Sequence, residues 1–273
     1  SEEILSEVDP DAALAIYRDR FADASDFTFV LVGNFEPRSI EPLVRTYLGG
    51  LPSTGREETW RDVGVRRPEG VVELEVEKGL EPKSRVSLLF SGDAEWSREE
   101  LHLISSLGRA LEIRLREVLR EDLGATYGVA VRGSLALRPI ETYSFRVGFG
   151  CAPEEVDSLV ETLFAEIESL KQNGIDEVYV EKVQEIQRRK REIDLEENSF
   201  WLSALESSYD FGLDPRLLLA YDELVDSLSP ERLQQAAKRY LDRERYVLGV
   251  LDPEEGAAAS GEDDAASPGV RPQ

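Results

Sequence analysis

Apolar positions recur at two periods along this chain, and the switches between the periods mark out its elements. After Asp9-Pro10, Leu14, Tyr17 and Phe21 fall at helical spacing, with a proline where a helix tolerates one. Phe27 to Val32 is then a continuous apolar run closed by Gly33-Asn34, the pattern of a buried strand. A second helix is expected from about Arg38 to Leu48, with Ile40, Leu43, Val44 and Tyr47 turned inward and Gly49-Gly50 and Pro52 ending it. Residues 53–70 carry Gly, Pro, Arg and Glu without period and read as a linker.

From Val71 to Val76 apolar and acidic residues alternate, which predicts a half-exposed strand, and Arg85 to Phe90 predicts another. Ser97 followed by Glu100 is a capping box. It opens a long helix whose apolar stripe runs through Leu101, Ile104, Leu107, Leu111, Leu115 and Val118. Leu123-Gly124 is expected to stop that helix, with strands at about 125–131 and 142–149. Helices follow at about 153–172, 176–193, 198–211, 215–226 and 230–241, and a last strand from Tyr246 to Leu251. Grouped strands and helices without strict alternation predict an α+β fold, a mainly antiparallel sheet packed against helices.

Two stretches resemble each other. Pro10 opens a helix ending at Arg20-Phe21 before FVLVGNFEP, and Pro230 opens one ending at Arg239-Tyr240 before YVLGVLDPE. The expected organisation is therefore residues 1–52 as a helix–strand–helix closing a preceding repeat, 53–70 as linker, and 71–252 as the C-terminal domain. Residues 253–273 are low-complexity and acidic, and are expected to be disordered. No methionine occurs, not even at position 1, so the expectation is a piece of a longer protein.

Charge narrows the partners. The 273 residues carry a formal net charge of −24, from 56 acidic and 32 basic side chains, a surface that repels a nucleic-acid backbone. Of the basic residues 26 are Arg and six are Lys, which fits a salt-adapted host or simply an acidic protein. No apolar run reaches the length needed to span a bilayer, and the N-terminus lacks a signal-peptide layout.

Hydrolytic metal chemistry needs three or four convergent ligands, and this chain offers one histidine and one cysteine. His102 has no second His at either zinc-helix spacing and reads as a partly exposed helix-face residue. Cys151 ends an apolar strand as a small hydrophobe and can form no internal disulfide. No G-x-S-x-G turn or phosphate-cradling glycine loop occurs, so no catalytic and no metal-binding residue is assigned to this chain.

The informative stretch is Arg114 to Val129, where a helix gives way to a strand across Leu123-Gly124. Arg120 and Tyr127 leave the two sides of that corner. A guanidinium and a phenol so placed converge on one acceptor, such as a peptide carbonyl; alternatively, Arg120 caps the helix dipole and Tyr127 packs on the sheet. The segment LREDLGATY (119–127), the upstream Arg114-Leu115, VLVGNFEP (30–37) and Tyr47-Leu48-Gly49-Gly50-Leu51-Pro52 together resemble the pitrilysin (insulinase-like) zinc metallopeptidases.

That resemblance implies a processing-peptidase-like fold in its non-catalytic C-terminal portion. It implies that Arg120 and Tyr127 hydrogen-bond the backbone of a peptide substrate and steady charge on its carbonyl. The family's H-x-x-E-H helix has no counterpart here, so zinc belongs to the parent enzyme or a partner subunit and this chain needs no cofactor of its own. The implied partner is a catalytic half, upstream in the same polypeptide or on a separate chain. A catalytically inactive scaffold or partner subunit is the alternative, and a bacterial periplasm or cell envelope is the expected location.

Overall fold

The computed structural model describes residues 5–122 and 126–254, and the side chains of 120–122, 126 and 127 lie outside that description. The chain divides into two compact units, residues 5–61 with 192–218, and residues 62–191 with 219–254.

The larger unit is a five-stranded sheet with helices against it. Its strands are β1 (Val71–Glu77), β2 (Ser84–Asp93), β3 (Thr126–Ala136), β4 (Thr142–Cys151) and β5 (Tyr246–Asp252), in the spatial order β1-β5-β2-β4-β3. Only the β1–β5 pair is parallel, with Val71 opposite Tyr246; the other three pairings are antiparallel. The α+β expectation therefore holds.

Alternation along the strands explains why only one face is covered. Val86, Leu88 and Phe90 of β2 and Tyr143, Phe145, Val147 and Phe149 of β4 are all buried. They meet Ile104, Leu107 and Leu111, then Leu159, Leu163 and Ile167, then Leu233, Ala236 and Tyr240, in a single core. Each fully buried side chain of this size contributes about 1.5–3 kcal/mol. The three helices are α3 (Arg98–Arg116), α4 (Val156–Asn173) and α8 (Pro230–Tyr240). Ser97 caps α3 by accepting from the Glu100 amide at 3.0 Å, as its sequence spacing predicts. The Glu100 carboxylate turns instead to the Tyr240 hydroxyl and to Arg239 Nη1, the latter at 2.6 Å, tying α3 to α8. Helix α3 meets β3 backbone to backbone: a Cβ on Gly133 would fall 2.3 Å from the Ile104 carbonyl oxygen.

The smaller unit begins with α1 (Pro10–Arg20) and α2 (Pro37–Tyr47). Asp9 caps α1, its Oδ1 accepting from the Asp11 amide at 2.9 Å. Two expectations fail here. Residues 27–32 form no strand, and Phe27, Phe29 and Leu31 are 37%, 46% and 47% exposed rather than buried. An apolar run becomes a strand only where another strand satisfies its backbone, and none does so among the described residues. Likewise neither α1 nor α2 has a buried residue, so Leu43 and Tyr47 are not inward. Instead Tyr17, Phe21, Phe27 and Phe29 form a chain of ring contacts at 4.6, 5.6 and 6.2 Å, all solvent-accessible.

The remaining helices are α5 (Glu177–Leu195), α6 (Asn198–Asp210) and α7 (Tyr221–Asp226). Residues 53–69 contain neither helix nor strand.

Candidate substrate-binding bend

Leu115 and Leu119, both fully buried, hold the end of α3 against the core. Between and beyond them the helix changes pitch: Glu117–Asp122 is a π-helical turn. Such a turn widens the coil by one residue and recurs at functional sites. The Leu123-Gly124 stop lies outside the described residues. Strand β3 begins at Thr126, which pairs with Cys151, and the β3–β4 register shifts between Thr126 and Val129. Tyr127 thus sits on a bulged strand entry and Arg120 on the widened turn. The side chains of both lie outside the described residues.

What the structure adds is the anchor of that turn, which sequence reasoning missed. Glu117 accepts from the Tyr179 hydroxyl and, at 3.0 Å, from Lys182 Nζ, both on α5. Arg114 Nε donates to Glu166 Oε2 at 2.8 Å and Arg114 Nη1 to the Tyr179 oxygen at 3.4 Å. The ammonium of Lys182 lies 4.9 Å from the centre of the Tyr179 ring. These contacts are mutually consistent in charge. The Tyr179 and Lys182 donors hold the Glu117 carboxyl below its ordinary range, and Glu166 with Tyr179 holds Arg114 more firmly charged. The only signal in the sequence was the Arg114-Leu115 pair; the α5 partners are about 60 residues away and show no motif.

His102 is more enclosed than expected, at 9% exposure. Its Nε2 lies 3.2 Å from Gln187 Oε1, its ring meets Tyr221 edge-on at 5.9 Å, and burial lowers its pKa. Cys151 is buried on β4, its thiol pushed up to about 11 by desolvation. No group of three or more His, Cys, Asp or Glu suited to a metal ion occurs among the described residues. The residues present therefore do not fit a zinc centre: the lone imidazole is committed to Gln187, and the lone thiol is held protonated.

The uncovered face of the sheet is mixed, with exposed Leu74, Val76 and Leu251 toward the β1 edge and short or cationic side chains toward β3. Ser87, Gly148 and Gly249 align across β2, β4 and β5, and Arg132 of β3 stands directly opposite Arg146 of β4. Both arginines are exposed, and neither has an ion pair among the described residues. In a chain so rich in carboxylates, that like-charged pair makes the β3–β4 part of the face locally basic.

Sequence comparison gives a match to the family described as the peptidase M16 inactive domain over residues 8–187. A zinc protease PQQL-like protein of Arabidopsis thaliana is 28% identical over 275 residues, covering 92% of this chain and 29% of its own length. The periplasmic protease PqqL from Escherichia coli superposes with a TM-score of 0.74 at 24% identity, over 89% of this chain and 27% of that one. The first half of the same E. coli protease also superposes, with a TM-score of 0.68 at 15% identity over 94% of this chain and 65% of that one. The chain thus spans under a third of the length of the curated relatives it matches. Among the described residues no helix is long and apolar enough to cross a membrane.

Proposed function

Because this chain belongs to the peptidase M16 inactive-domain family, we propose that it is the non-catalytic, substrate-gripping part of a zinc endopeptidase whose H-x-x-E-H site lies on another segment. In this reading Arg120 and Tyr127 donate to the backbone of a bound peptide and stabilise charge on the scissile carbonyl oxygen. The observation that carries it is the bend itself. A π-helical turn meets a bulged strand entry at the two family-matched positions, and the Glu117–Tyr179–Lys182 contacts fix the turn. A donor pair helps catalysis only if its place is set before the substrate arrives.

The smaller unit supports a catalytic half that is physically joined to this one. Residues 27–32 are extended without a strand partner, and the ring chain from Tyr17 to Phe29 is open to solvent. In the larger unit the similar helix–strand pair, α8 and β5, lies with β5 between β1 and β2. We infer that 27–32 takes the β5-like place in a sheet of the catalytic half, from the same polypeptide or a partner subunit. The likeness of this fold to the first half of the E. coli protease fits a repeated architecture. That protein's periplasmic setting makes a bacterial periplasm or cell envelope the compartment proposed here.

The test has two arms. In the assembled enzyme, Arg120→Ala or Tyr127→Phe lowers turnover by about 10²–10³, the scale of one lost oxyanion donor; unchanged turnover in both overturns the assigned role. Purified 1–273 binds no stoichiometric zinc and cleaves no peptide; chelator-sensitive hydrolysis by it alone overturns the division of labour.

A further inference from the structure

A concavity of about 760 Å³ opens at the end of the sheet where β2 finishes, β3 turns into β4, and the chain enters β1 and β5. It lies at the far end of β3 from the bend. That strand is 11 residues long, which at about 3.3 Å per residue separates the two by about 30 Å. Its charged lining is Arg66, Arg67, Arg138, Arg245, Glu69 and Asp93. Four cations against two anions invert the balance of a chain with 32 basic and 56 acidic residues.

The four arginines are not equivalent. Arg66 is neutralised by Asp62, with Nη1 donating to Oδ1 at 2.9 Å and the carboxyl held at about 2 by that guanidinium. Arg67 and Arg245 make no side-chain hydrogen bond and no ion pair among the described residues. Arg245 is the informative one. It is half-buried, and its Nε is shut off from solvent without an acceptor. The guanidinium lies across Gly92, where a Cβ would sit 3.4 Å from Arg245 Nη1 and 2.8 Å from the Tyr143 ring. Packing, rather than a counter-charge, sets its position. A partly desolvated cation with no anion carries a cost that a bound carboxylate would offset.

We propose that this concavity binds the carboxylate of an acidic peptide segment, gripped by Arg245 and Arg67. Val65, Pro139 and Ile140 on its walls receive the aliphatic part of the ligand. The volume lies within the about 300–1,000 Å³ typical of pockets for many-atom ligands, more than a small free anion fills. Glu69 and Asp93 on the same lining oppose a compact dianion such as phosphate more than single carboxylates spaced along a peptide. The chain's net charge of −24 repels anions at long range, but screening over about 8 Å at physiological ionic strength leaves the local guanidiniums in control.

Calorimetric titration of the purified chain at physiological ionic strength, with tetraglutamate, tetraglutamine amide and citrate as probes, tests this. The expected result is saturable tetraglutamate binding, weakened about tenfold or more by Arg67→Gln and by Arg245→Gln, with none for the amide. Arg67 is exposed, so its replacement leaves the melting transition in place and reads binding alone. Equal affinity in wild type and both variants overturns the proposal, as do equal binding of the two peptides and saturation by citrate without tetraglutamate. None of these outcomes bears on the bend.

Discussion

Tyr179 donates its hydroxyl proton to Glu117, and with the Lys182 contact to the same carboxylate this fastens the π-helical turn to helix α5. The turn carries Arg120, so whatever loosens Glu117 loosens the backbone of the proposed donor without touching it. Tyr179→Phe removes the bond and keeps the ring under Lys182. The expected cost is about 1 kcal/mol of stability, with faster amide exchange confined to residues 117–122. Exchange that rises equally in β5 would show general destabilisation instead.

The same carboxylate predicts a pH dependence. Its folded pKa is depressed below the ordinary 4.5, first by Tyr179 and then by Lys182. Below 4.5 the unfolded chain takes up this proton before the folded one does, so the contribution is whole above 4.5 and is lost as pH falls through the folded value. Glu117→Gln should be less stable than wild type at neutral pH, and the gap should close on acidification. A gap that stays constant down to acid pH would remove Glu117 as its source.

The periodic parts of the fold were legible because local physics decided them. Ser97 and Asp9 cap their helices, and alternating strands such as Val86–Phe90 bury one face whatever lies beyond. Residues 27–32 misled because a strand is a property of two segments, and sequence shows only one. The Glu117–Tyr179–Lys182 cluster was invisible because three unremarkable polar residues from two helices acquire meaning only when α5 packs beside α3. The same holds for Arg245, whose isolation is a fact about Gly92 and Tyr143.

Gly133 is where helix and sheet come closest. In Gly133→Ala the new methyl meets the Ile104 carbonyl oxygen at 2.3 Å, and that oxygen belongs to the helix backbone, so it does not yield cheaply. The expected loss is about 1–3 kcal/mol or more, typical of overpacking, read as a lower denaturant midpoint. Gly148→Ala, whose nearest neighbour is the Val86 carbonyl oxygen at 3.6 Å, is the matched control and should be close to neutral.

Arg132 and Arg146 face each other across β3 and β4 with like charge. Directly opposed like charges destabilise a pair, and an opposite pair contributes about 0.2–1 kcal/mol. Arg146→Glu should therefore raise thermal stability, more so at low salt. A variant less stable than wild type at every ionic strength would contradict the repulsion.

The stability that His102 contributes depends on pH with a sign set by burial. Desolvation lowers its pKa in the folded state, the nearby Arg232 and Arg98 push the same way, and the Gln187 contact opposes them. The folded protein thus takes up this proton at lower pH than the unfolded chain, whose ordinary value is 6.5. Stability is full above 6.5 and falls as pH drops toward the folded pKa, at up to about 1.4 kcal/mol per pH unit, the limit for one proton. His102→Gln keeps a polar group within reach of Gln187 and has no proton to gain. Denaturation curves between neutral and mildly acidic pH should be flatter for that variant than for wild type. Parallel curves would mean that His102 titrates alike in the folded and unfolded chain, and burial would not be lowering its pKa.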